Sequence, residues 1–297
     1  MAKHLLLATL PHRDPGDIPV WRRVNGRFSL SVHPFINDDS KPLYPFGSIP
    51  RLLLIWLVTE AVQTKKRHMI LGRSLADFMR QIGLNPDSGG GRRGDAQRLK
   101  DQMVRLFAAQ LRIENSERSG DMLGWINIPV TATGVVYQSA LNSATPMGSI
   151  VLGEAFYATV TTKAVPVDRR ALNVLKGSPF DLDLYIWATY RVFTLRGGEC
   201  FIPWRALQKQ FGSSYTAVKD FKRAAKRSLC KVSAVFPGFR YRAIPGGLKI
   251  LKSLPAVSPV SMWNERFVHG DVVPPDAGEM LSYDTVKRSP LPIKNHL

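Results

Sequence analysis

Cysteine is nearly absent. Only Cys200 and Cys230 occur in 297 residues, with no CxxC pair or metal-ligand spacing, so neither a disulfide framework nor a zinc site is indicated, and a reducing cytoplasm is the compartment expected. Long apolar runs are missing too. The longest, "LLLIWLV" at 52–58, falls far short of the ~20 residues that span a bilayer, and the opening "MAKHLLLATLPHRD" is broken by Pro11, so neither a membrane partner nor a signal peptide is expected. The six histidines (4, 12, 33, 68, 269 and 296) form no His-x-His pair, which removes the metal site of a tyrosine-dependent DNA-nicking enzyme. "GGGRRGD" at 89–95 lacks the Gly-Lys-Ser/Thr end of a P-loop and reads as a basic turn. No Gly-x-Ser-x-Gly elbow or HExxH motif occurs, and "DLDL" at 181–184 reads as the acidic first turn of a helix rather than a catalytic dyad. No catalytic residue, metal or cofactor is therefore expected.

Positive charge is abundant. Forty-one Lys and Arg against 23 Asp and Glu give +18 and a pI near 10.2, which favours a polyanionic partner; nucleic acid and an acidic membrane surface both fit the charge, and nucleic acid is the one expected. A hydrophobic content of 44% supplies ordinary buried cores, and the length suits roughly two domains.

The order of elements repeats. "RLLLIWLVTEAVQT" and "DLYIWATYRVFTL" read as buried helices, with Ile55-Trp56 matching Ile186-Trp187. Short strands follow at "MIL" (69–71) and "CFI" (200–202), then short helices in which Phe78 and Ile82, or Leu207 and Phe211, share a face ahead of Gly83 or Gly212 as helix stops. Longer basic helices come next, "RRGDAQRLKDQMVRLFAAQ" and "SYTAVKDFKRAAKRSL". Two strands are expected to close each unit, "LRIEN" and "GWINIPV" in the first, "KVSAVF" and "FRYRAI" in the second. Helix, strand, helix, helix and hairpin is the order of a winged helix. The expected fold is α+β, with two tandem winged-helix domains related by an internal repeat: an N-terminal extension over 1–45, a first winged-helix domain over 46–165, a second over 166–254 and a Pro-rich tail over 255–297. Within the connector, "SIVLGEAFYATVTT" reads as a strand with a turn, and "VDRRALNVLKGSP" as a helix from Asp168 to Gly177.

The second basic helix carries the most information. On a helix, Val218, Phe221, Ala225 and Leu229 form a narrow apolar stripe, while Lys219, Lys222, Arg223, Lys226 and Arg227 fill the adjoining arc, with Ser214, Tyr215 and Thr216 at its start. Like charges at i, i+4 cost a free helix a few tenths of a kcal/mol per pair, and Lys219/Arg223, Lys222/Lys226 and Arg223/Arg227 are three such pairs. That clustering points to a phosphate-facing helix. Thr216 and Lys219 are expected at base edges, and Arg240 and Arg242, on one face of "FRYRAI", at phosphates. Residues 178–254 hold 14 bases and 4 acids, a net of +10. In the first unit Arg92, Arg93, Arg98 and Lys100 are weaker candidates, because Asp95 and Asp101 lie among them; self-association as a homodimer is the alternative role of that unit.

"VPVDRRALNVLKGSPFDLDLYIWATYRVFTL" followed by "IPWRALQKQFG" resembles the plasmid-encoded RepA family of replication initiators, as do "PHRDPGDIPVWRRVNG", "YPFGSIPRLLLIWLVTEA" and "LADFMRQIGL". The resemblance covers the chain to about residue 254. It implies binding to double-stranded origin repeats, local duplex opening, and recruitment of the host replication initiator and replicative helicase. A winged-helix transcriptional repressor, for instance of its own gene, is the first alternative function, and a nuclease or primase is the second.

Overall fold

A computed structural model describes residues 9–26, 28–88, 94–116, 123–136, 148–162, 164–195, 197–212 and 215–257. The tail over 258–297 lies outside the described residues, as do Arg92, Arg93 and Ser214. The fold is mixed α+β.

In the second repeat, helix α6 (Pro179–Thr194) starts where Ser178 accepts the Asp181 amide at 3.2 Å and Pro179 occupies the first turn. It is buried on nearly every side, and so reads as continuously apolar rather than amphipathic. Strand β10 (Glu199–Pro203), helix α7 (Trp204–Phe211), helix α8 (Val218–Val235) and strands β11 (Tyr241–Ile244) and β12 (Gly247–Leu251) follow. The sheet order is β10-β12-β11, all antiparallel. Residues 231–235 of "KVSAVF" extend α8 instead of forming a strand, because Val232 continues the buried stripe of Phe221, Ala225 and Leu229, and Lys231 reaches Asp181 at 2.8 Å. The hairpin accordingly moves on by one strand, pairing "YRAI" with "GLKIL".

The first repeat has helix α1 (Ser48–Thr64), strand β5 (His68–Ile70), helix α2 (Leu75–Gln81) and helix α3 (Asp95–Phe107). Gly83, at φ 81°, ends α2 as expected: its amide meets Arg80 O at 3.1 Å and the Leu84 amide meets Met79 O at 2.7 Å, the paired bonds of a left-handed helix stop. Strands β6 (Gln110–Ser116) and β7 (Leu123–Pro129) form the expected hairpin, but it does not close this unit. It joins two N-terminal strands, β1 (Trp21–Asn25) and β2 (Phe28–His33), in a four-stranded sheet of order β1-β2-β6-β7. A further short hairpin, β3 (Phe35–Ile36) with β4 (Pro42–Leu43), leads into α1. The strands that close the repeat are β8 (Thr131–Val136) and β9 (Gly148–Leu152), in the order β5-β9-β8, which is the arrangement of β10-β12-β11. Val130 and Leu152, both fully buried, draw this later pair onto the helices. The stretch after β9 is also not a turn: helix α4 (Glu154–Thr161) follows Gly153, where a Cβ would stand 2.2 Å from Pro129 O. Helix α5 (Arg169–Leu175) is the helix read from Asp168, whose side chain caps it at Arg170 N.

A buried ion cluster ties the repeats together. Arg51 of α1 grips Asp183 of α6 with two bonds, Nε to Oδ1 at 2.7 Å and a terminal nitrogen to Oδ2 at 2.8 Å, and its other donors meet Leu10 O, Pro11 O and Gly47 O. His12 Nε2 lies 2.7 Å from Asp183 Oδ2. Nearby, Arg23 of β1 is buried, donates to Gln210 O of α7 at 2.9 Å and stacks over Trp21. The N-terminal strands are thus part of the folded unit over 1–257.

Candidate nucleic-acid interface

The turn between α7 and α8 is tight because Gly212 permits it: a Cβ there would lie 2.8 Å from Gln208 O and 2.9 Å from the Phe221 ring. Tyr215 packs edge-on against Phe221, ring centroids 5.9 Å apart, and Gln208 donates to Tyr215 O at 3.0 Å. Helix α8 begins at Val218, with Ala217 as its cap, and not at Tyr215. Tyr215 therefore clamps the turn from a half-buried position, and Thr216 is exposed just before the helix. Phe221, Ala225 and Leu229 are buried as expected and Val218 is half-buried; burying a ring such as Phe221 contributes about 1.5–3 kcal/mol to this packing.

Opposite that stripe, Lys219, Arg223, Lys226 and Arg227 are exposed. Arg223 pairs with Asp220 at 3.1 Å, whereas Lys219, Lys226 and Arg227 make no ion pair among the described residues. Lys222 differs from the others. It is half-buried over the Trp204 ring at 5.8 Å, with Nζ 3.4 Å from Pro245 O, so it braces α8 against the β11–β12 turn. Trp204 fixes the same turn through Nε1 to Ile244 O at 2.9 Å.

The hairpin keeps the expected alternation. Phe239 is buried and stacks on half-buried Tyr241 at 5.2 Å, while Arg240 and Arg242 are exposed. Burial pushes the Tyr241 phenol above its ordinary value. Arg242 stands in register with Lys249, and Lys249 with Phe201. The sequence did not mark Lys249 as part of this face, nor Arg205 and Lys209 as exposed bases on α7. Its cues were the single polar residue within "GLKIL" and the i, i+4 spacing of two exposed bases in "WRALQKQ".

The first repeat presents a different helix. Leu99, Met103 and Leu106 are its buried stripe. Arg98 pairs with Asp95 at 3.1 Å, and Arg105 with Asp101 at 2.9 Å and Asp14 at 3.7 Å, while also stacking over Phe46. Lys100 is half-buried. Of the first repeat's candidates, the two among the described residues, Arg98 and Lys100, thus do not form an unpaired basic face like that of α8.

Neither Asp181 nor Asp183 forms a dyad. Asp181 meets Lys231, and for Asp183 burial, which raises the carboxyl, is outweighed by the Arg51 charge and the His12 and Arg51 hydrogen bonds, which hold it below the ordinary value. No group of three or more His, Cys, Asp or Glu side chains that could hold a metal occurs among the described residues, and no described helix is long and apolar enough to cross a membrane.

Among known protein families, the one described as plasmid encoded RepA protein matches residues 44–204, just over half of the chain. The matched stretch runs from the start of the first repeat to Trp204, the first residue of α7, so α8 and the β11–β12 hairpin lie beyond it. No curated protein matches the sequence.

Proposed function

The chain belongs to the plasmid-encoded RepA family, and from that premise we propose that it is a non-enzymatic, cytoplasmic plasmid replication initiator that binds repeated origin DNA through two winged helices. The observation that carries this reading is the exposed face of α8. It follows a tight helix turn, holds Lys219, Arg223, Lys226 and Arg227, and faces no acid other than Asp220 among the described residues. In helix-turn-helix folds the helix in this position enters the major groove and reads bases with its N-terminal residues, which assigns readout to Lys219 and backbone grip to the bases further along. Arg240 and Arg242 add phosphate contacts from the wing. A second winged helix in tandem raises affinity through effective concentration without demanding tight binding from either unit.

The first repeat serves self-association more than readout. Its α3 arginines, Arg98 and Arg105, are paired with acids, and on the outer face of its sheet Ile70 and Val135 flank Ser149 in one row, 66% and 53% exposed. Duplex opening and recruitment of the host initiator and helicase complete the proposal.

Footprinting of the purified protein on DNA flanking its own gene tests it. Regularly spaced protected repeats, with strand-opening reactivity in an adjoining AT-rich segment, are the expected result. Protection confined to a promoter, with no opening, would instead make the protein a repressor.

A further inference from the structure

The outer face of the sheet β10-β12-β11, turned away from the helices, carries an aromatic ring among bases. Phe201 on β10 is 48% exposed, although its neighbours Ile202, Leu248 and Ile250 on the inner face are buried. Its ring lies over the β11–β12 turn. A Cβ at Gly247 would stand 2.7 Å from Phe201 Cε2, 2.9 Å from its Cζ and 2.3 Å from Ile202 O, so only glycine leaves room for the ring there. Across the sheet, Phe201, Lys249 and Arg242 share one row, and Arg240 is two residues from Arg242 on the same side. The acid on this face is Glu199, which meets Lys249 at 2.6 Å and leaves both arginines without an ion pair among the described residues.

We propose that this face binds an unpaired DNA strand, with a base stacked on Phe201 and phosphates held by Arg240, Arg242 and Lys249. Flat exposed rings flanked by bases on an open sheet bind single strands because every base has a stacking face and the backbone is uniformly anionic. A duplex cannot use the ring, since its bases are already stacked on one another. Position supports the assignment as well. Lys222 of α8 contacts Pro245 O in the same turn that Phe201 covers, so the platform begins where the basic face of α8 ends. A strand released from a duplex on α8 would pass directly onto it. The inference rests on the replication reading for its biological setting, whereas its chemistry can be measured alone.

The test uses the full chain and compares an oligodeoxythymidine of about 20 nucleotides with a duplex carrying the footprinted repeat, by fluorescence anisotropy at one fixed salt concentration. Phe201→Ala is expected to weaken oligodeoxythymidine binding by about 5- to 150-fold and duplex binding less than about twofold. Phe201→Trp is expected to keep single-strand binding and to gain fluorescence that the oligonucleotide quenches. Equal losses on both DNAs for Phe201→Ala would place the ring in the duplex interface and overturn the proposal. No loss on either, or no quenching of the tryptophan variant, would also overturn it and leave the face to a protein partner. Duplex binding by the wild-type protein reports separately on α8, so failure of the platform and failure of the initiator reading give different patterns.

Discussion

Arg51 is the residue on which the join between the repeats depends. All its donors are used, two of them on a buried carboxylate. Removing one partner of such a pair leaves an uncompensated buried charge, so Arg51→Ala should lower stability by about 3–5 kcal/mol in urea unfolding, whereas replacing Arg51 and Asp183 together by Met and Leu should cost much less. Equal losses for the single and double variants would mean that packing, not charge, matters at this site. His12 adds a pH dependence. Burial lowers its pKa from 6.5, against the raising effect of its bond to Asp183, so the unfolded chain binds more protons near neutrality. Stability from this group is full above pH 6.5 and is lost as pH falls through the lowered value. Asp183, also lowered, adds a second loss below pH 3.8. The urea midpoint should thus fall between pH 7 and pH 5, and His12→Gln should flatten that limb; an unchanged slope in the variant removes His12 as its source. Arg23, pushed down to about 10 by burial, stays charged throughout this range.

Among the elements, α8 is where function and stability separate. Its buried stripe holds the repeat together, and its opposite face is free of that duty except at Lys222. Replacing Lys219, Arg223 and Arg227 together by Ala should leave the melting temperature nearly unchanged and reduce the slope of log K against log salt by about 0.9 for each phosphate that the variant no longer neutralises. A folded variant with the parent slope would take α8 out of the interface. Most of this helix was legible in sequence because its apolar period of 3.6 ran unbroken through Phe221, Ala225 and Leu229. Its ends were not. Tyr215 satisfies the helical pattern but is held in the turn by Phe221 and Gln208, and "KVSAVF" is too short for periodicity to tell a strand from a last helical turn. The first repeat hid its closing strands for a different reason. "LRIEN" and "GWINIPV" form a true hairpin, but its partners lie some eighty residues earlier, as in Ser29 opposite Glu114, and strand alternation says nothing about which distant strand will pair. The platform ring was invisible for the same kind of reason. In "CFI" three apolar residues in a row give no alternation that assigns Phe201 a face, and only the pairing that sets Phe201 opposite Lys249 puts it on the outer one.

For the whole molecule, the decisive property is that two repeats with unequal surfaces share one folded unit. Residues 178–254 carry a net charge of +10 out of +18, so the second repeat dominates electrostatic attraction to any polyanion, while the first contributes paired charges and an apolar outer sheet face. Were the repeats independent domains on a linker, each would unfold separately and their spacing on DNA would vary. The bonds between them argue otherwise. Arg51 of the first repeat is satisfied by Asp183 of the second, Arg23 of the N-terminal sheet by Gln210 O at the end of α7, and Arg169 of α5 donates to Gln81 O at the end of α2. Cutting between the repeats would strand Arg51 and Asp183 as unpartnered charges, at a cost comparable to a large share of a domain's net stability of roughly 5–15 kcal/mol. The full chain should therefore unfold in urea as one transition, with tryptophan fluorescence and far-ultraviolet circular dichroism giving the same midpoint. A fragment ending at residue 165 should be far less stable than the same residues within the whole chain. Two resolved transitions, or a fragment as stable as its parent, would show that the buried cluster is incidental. In that case the spacing of the two repeats would be set by the flexibility of their connector rather than fixed in the fold.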